Sequence, residues 1–166
     1  MATPTSLPAT FVAGDVLTAA QQNALRGGFR VLQVVTATTS TVQTSSSTTY
    51  ADATGLTLSI TPQSATNKVL IQFMTMGSKD AANANNNLGI QIMRGATTIG
   101  DWSSGLYTGT AMLLIAPCTY NILDAPNTTS ATTYKVQFRN ANNNGASVSI
   151  QNSNHPALLM AQEISA

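Results

Sequence analysis

Catalysis needs side chains that carry protons, electrons or metals, and this chain holds few of them. His155 is the one histidine, so a serine hydrolase of the triad kind would have to pass its proton through it. It precedes Pro156, a turn-forming context, and no Gly-x-Ser-x-Gly elbow supplies a nucleophile. Asp15, Asp52, Asp80, Asp101, Asp124 and Glu163 are scattered, and no two share a spacing that pairs them for acid/base work. Cys118 is the one cysteine, which excludes an intrachain disulfide and a cysteine-built zinc cage. It ends the apolar run Leu113-Leu114-Ile115-Ala116-Pro117-Cys118 and reads as a small buried hydrophobe. Asp-x-Asp calcium loops are absent. These residues predict no enzyme, no cofactor and no metal site.

One group could bind without reacting. Asp101-Trp102 lies in a Gly/Ser-rich stretch with Tyr107. Aromatic rings beside a carboxylate can stack on a sugar and accept its hydroxyl bonds. The same side chains could instead fill the core or a subunit contact. Arg94 and Asp101 are expected to pair, because a strand charge in so uncharged a chain needs a partner.

The elements that must position these residues are almost all strands. Leu56, Leu58 and Ile60 alternate with Thr57, Ser59 and Thr61; Tyr134, Val136 and Phe138 alternate with Lys135, Gln137 and Arg139. Lys68–Met76 is apolar on both faces, which predicts a central or oligomer-facing strand. Further strands are expected over Arg30–Thr38, around Leu88–Ile92, over Thr97–Ile99, on either side of Pro117, around Val148–Ile150 and over Ala157–Ile164. Nine or ten short strands at this spacing predict an all-β sandwich or barrel. One short helix is expected near the N-terminus, with Thr18 as cap, Gln21 closing the box and Gly27-Gly28 as stop. Two turns cannot stand alone, so Phe11, Val16, Leu17 and Leu25 are expected to dock it onto a neighbour. The chain thus divides into an arm and helix (1–28) and a β domain (29–166).

Composition points the same way. Charged residues make up 8% of the 166, against an ordinary share of about 25%. Hydroxyl and amide side chains cost less to desolvate than charges, so such a surface suits subunit contacts. A net charge of +1 without any Lys/Arg run predicts no nucleic-acid partner. No apolar run reaches the roughly 18 residues of a membrane span, and no signal peptide is recognisable.

The segment Ala13-Gly14-Asp15-Val16-Leu17-Thr18-Ala19-Ala20-Gln21-Gln22-Asn23-Ala24-Leu25 resembles one found near the N-termini of tailed-phage structural proteins. Val31-Leu32-Gln33-Val34-Val35, Gly55-Leu56-Thr57-Leu58-Ser59-Ile60-Thr61-Pro62 and Asn67-Lys68-Val69-Leu70-Ile71 are similar to phage tail-fibre and minor-tail domains. Arg94-Gly95, Ile99-Gly100-Asp101 and Leu158…Glu163-Ile164 extend the likeness over most of the chain. It implies a jelly-roll-like antiparallel β-sandwich, a homotrimer, and a place in the virion after synthesis in the host cytoplasm. Residues 1–28 would then attach to a neighbouring virion protein, and the sandwich would project, with host-surface glycan as a further partner. Shaft repeats of typical fibres are missing, so a trimeric capsid decoration protein is the alternative, and a free carbohydrate-binding module a second one.

Overall fold

Period-two alternation sets the strands, and the structure, a computed structural model, describes residues 31–142, 145–152 and 155–165. The predicted arm and helix, with Phe11, Val16, Leu17 and Leu25, lie outside the described residues. Ten strands occur among those described: β1 (Val31–Thr39), β2 (Gln43–Ser45), β3 (Ala51–Ile60), β4 (Lys68–Lys79), β5 (Leu88–Arg94), β6 (Thr97–Leu106), β7 (Leu114–Asp124), β8 (Thr132–Asn140), β9 (Val148–Ile150) and β10 (Ala157–Ile164).

They form two antiparallel sheets. In the first, β4 is central, with β7 along one side and β10 then β9 along the other; β1 and β2 flank β10 and β9. β1/β2 and β9/β10 therefore act as two interrupted strands, and the sheet has four positions across. The second sheet runs β3-β8-β5-β6. This order is that of a jelly roll, two four-position sheets closed face to face. The expected all-β sandwich is the fold.

The core lies between the sheets. Val69, Ile71, Phe73 and Leu159 meet Leu56, Ile60, Ile90, Ile92, Tyr134 and Val136, all fully buried. Each such side chain contributes about 1.5–3 kcal/mol by leaving water. Phe73 sits mid-strand in the row Ala37–Leu159–Phe73–Tyr120. Truncating it to alanine would open a cavity costing about 3–5 kcal/mol.

Two strands run on where the sequence suggested a break or an end. β7 runs unbroken through Pro117, where the sequence suggested a division. Among the described strands β7 pairs only with β4, so one side of it needs no ladder N–H there, and proline is tolerated. β6 continues past Ile99 through the Gly/Ser-rich residues to Leu106. Side chains across the sandwich fill the space above those glycines. Lys68–Met76, expected to be central or oligomer-facing, is central, within a β4 that runs on to Lys79.

Candidate functional site

Asp101 and Trp102 are neighbours in β6 and so point to opposite faces of the second sheet. Trp102 turns inward. Its ring lies 4.2 Å from that of Tyr120 on β7, tilted by 40°, and Tyr120 in turn stacks 6.2 Å from Phe73. Gly100 makes the room: a Cβ there would stand 2.6 Å from the indole and 2.5 Å from Ile122 Cδ1. Gly105 does the same for the phenol, since a Cβ would meet the Tyr120 hydroxyl at 2.7 Å and the Leu88 carbonyl oxygen at 3.0 Å.

Because β6 and β7 are edges of different sheets among the described strands, a cleft of about 520 Å³ opens between residues 102–105 and 117–120. Ser103, Ser104 and Thr119 give it hydroxyls, and Trp102 and Tyr120 give it rings. Burial pushes the Cys118 thiol up, against hydrogen bonds from Gly77 and Tyr120 that pull it down, so no thiolate forms there at neutral pH. Burial likewise raises the Tyr120 phenol, with Cys118 adding to it. Neither a carboxylate nor an imidazole lines the cleft. Its lining offers rings and hydroxyls to an uncharged ligand.

Asp101 turns outward. It accepts a 2.7 Å hydrogen bond from the Tyr50 hydroxyl, and the Arg139 guanidinium lies 4.3 Å over the Tyr50 ring. Burial and then Asp101 push the Tyr50 phenol up to about 12. Lys135 and Gln137 both donate to Asp52 on the same outer face. The expected Arg94–Asp101 pair does not form. Arg94 instead holds both Asp124 oxygens, at 2.8 and 2.9 Å, and Tyr134 donates to Asp124 at 2.7 Å. Arg94 shares the inward face with its cross-strand partner Tyr134, at the end of the sandwich where Asp124 lies, whereas Asp101, paired with Gln91, faces outward.

Tyr107 lies past the end of β6, 53% exposed, and donates to Asn85 Oδ1 at 3.2 Å. Here the loops 80–87 and 107–113 and the segment 145–147 converge on residues that sequence reasoning missed. Lys79 is fully buried; its ammonium donates to Thr108 Oγ1 at 2.7 Å, the Thr110 carbonyl at 2.8 Å and the Asn83 carbonyl at 3.4 Å. Asp80 accepts from the Ser147 amide and hydroxyl at 2.7 and 2.6 Å, and from the Ala82 amide at 3.1 Å. Burial raises the Asp80 carboxyl, and those bonds outweigh it, leaving it below the usual range. The one available signal was a Lys-Asp pair opening an Asn-rich loop in a chain with few charges.

His155 is exposed and borders a shallow depression with Met74, Thr75, Met76, Pro117 and Thr119. No carboxylate lines it. Among the described residues no three of His, Cys, Asp and Glu are grouped to hold a metal, and no helix is long and apolar enough to cross a membrane.

No family model matches the chain, and neither does any curated protein. Among solved structures it is similar to the crystal structure of the infectious bursal disease virus VP2 subviral particle, with a TM-score of 0.34 and 15% identity. That likeness covers 81% of this chain and 38% of the viral one, so the chain spans less than half the length of the protein it matches.

Proposed function

We propose that this protein is a non-enzymatic structural subunit of a bacteriophage virion, a trimeric tail-fibre or minor tail protein displayed on the particle surface. One observation carries the reading: the two ends of the sandwich differ in kind. At one end Val31 pairs with Ile164 and Ile164 with Lys68, so the chain joins residues 1–30 there. The other end lies roughly 40 Å away along the twelve residues of β4. There the loops tied by Lys79 and Asp80 present Tyr107, Met112 and Leu113, each about half exposed. The first end suits attachment through residues 1–28 to a neighbouring virion protein. The second offers a preorganised surface facing outward, where a host glycan or protein is met. Jelly rolls serve in viral coats and in lectins, and the fold alone selects neither, so the weight rests on the two ends and the charge deficit.

Particles made with a chain lacking residues 1–28 are expected to be without this protein. Normal incorporation of the shortened chain would refute the anchor. Counting copies per particle separates the tail reading, with few, from capsid decoration, with many. The cleft of Trp102, Tyr120 and three hydroxyls favours a second reading, a free carbohydrate-binding module. Glycan-array binding by the isolated protein, lost in a folded Trp102→Phe variant, would support it.

A further inference from the structure

We infer that the outer face of the first sheet is buried against a second copy of this chain; the inference rests on the structural-subunit reading and names the surface that joins the copies. Cross-strand register defines the face. Val34, Gln162, Leu70 and Leu123 form one row across all four strands, and Thr38, Leu158, Met74 and Thr119 form another. Val34 is 52% exposed, Met74 48% and Leu123 63%, so the largest apolar groups stand in solvent at the centre and at both rims.

Charge is segregated between the two outer faces. Asp52, Asp101, Lys135 and Arg139 lie on that of the second sheet, tied into the network around Tyr50 and Gln137. The strands of the first sheet direct one charged side chain outward, Lys68, at the very end of β4. Within the first row Gln162 donates to Gln72 at 3.0 Å, and Gln72, between the two rows, donates to Asn121 at 2.9 Å. These two bonds reduce the polar groups that a covering partner must satisfy, and a second copy offers the same amides to pair with the rest.

Size and chemistry select the occupant. Twelve residues of β4 by four strands give roughly 40 by 19 Å, near the approximately 800 Å² that a stable contact takes from each partner. A partner with an ordinary density of charge would lose hydration against this face without finding counter-charges. A second copy presents the same uncharged rows. Val34 at the β1 rim and Leu123 at the β7 rim let three copies turned to a common axis close rim against rim.

The test is the mass of the full chain at micromolar concentration, by light scattering after size exclusion. Wild type is expected at three times 17.2 kDa. A Met74→Lys/Leu123→Lys variant should fall to one copy, its association weakened by more than about 100-fold, with an unchanged far-ultraviolet spectrum showing that it folds. Both positions are exposed, so neither lysine disturbs the core. A variant of wild-type mass would overturn the face while leaving the subunit reading intact. A monomeric wild type would overturn the contact itself, and particle incorporation would then decide the subunit reading separately.

Discussion

Asn67 Nδ2 lies 2.6 Å from Oε1 of Glu163, so a turn before β4 is fastened to β10, 96 residues further along the chain. The same carboxylate accepts from Gln33 Nε2 at 2.6 Å and the Gln63 amide at 2.7 Å. Glu163 is fully buried and forms no salt bridge among the described residues, where amide groups hold its charge. Together these bonds close the end of the sandwich where the chain enters.

That arrangement sets an acid limit on stability. Burial raises the Glu163 carboxyl, but the bonds from Asn67, Gln33 and the Gln63 and Ser64 amides outweigh it and leave the group below the usual range. A carboxyl depressed in the folded state contributes stability above its unfolded value of about 4, and loses it as the pH falls through the folded one. Melting temperature should therefore drop below about pH 4. Glu163→Gln should cost about 1–3 kcal/mol at pH 7 and reduce that acid dependence. An unaltered pH profile in the variant would exclude Glu163 as its source.

Lys79 is predicted to control the loops at the opposite end. Lys79→Met keeps the length and apolar stem of the side chain but removes its bonds to Asn83, Thr108 and Thr110. A loss of about 1–3 kcal/mol is expected, with the Thr108 and Thr110 acceptors left without this donor. Limited proteolysis should then cut first within 80–87 or 107–113. Cleavage confined to other loops would count against a fastening role.

Trp102 and Tyr107 should separate cleanly under mutation. Trp102 packs on Tyr120 and over Gly100, so Trp102→Ala should destabilise by about 3 kcal/mol. Tyr107 is half exposed at a loop, and Tyr107→Ala should stay within about 0.5 kcal/mol. Urea midpoints read both values. Equal losses would mean that the loop end is as much part of the core as the cleft.

Much of this fold could be read from alternation. Leu56, Leu58 and Ile60, and Tyr134, Val136 and Phe138, face the core as their spacing requires, because one buried face imposes period two. The Gly100–Gly105 stretch could not be read that way. Its glycines make space for Trp102 of the same strand and for Ile122 and Tyr120 of β7, and that packing is a property of the folded sandwich. The division expected at Pro117 failed for a related reason, since a proline's cost depends on whether its strand lies at an edge. Extending β6 by period two past Ile99 would have put Asp101 and Trp102 on opposite faces at once. The partners of Lys79, Asp80 and Glu163 depend on loops from distant parts of the chain, which local pattern does not encode. The charge deficit was plain in composition, but its concentration on one sheet face needed the register.

Arg94 and Asp124 give the sharpest test of the buried polar layer. Arg94 donates to both carboxylate oxygens and to the Ala125 carbonyl, while Tyr134 donates to the same carboxylate from within the core. Burial and that bond to Asp124 raise the Tyr134 phenol, so it stays a donor throughout the accessible pH range. The two side chains are 30% and 10% exposed, placing the pair between a surface bridge and a fully desolvated one. Arg94→Leu leaves Asp124 charged and held by tyrosine alone, and should cost about 3 kcal/mol. Arg94→Leu/Asp124→Leu removes both charges and should recover part of that loss, although Tyr134 then lacks its acceptor. A double-mutant cycle by urea unfolding measures the coupling. Additive losses would show that the pair is incidental, and that Tyr134 alone positions Asp124.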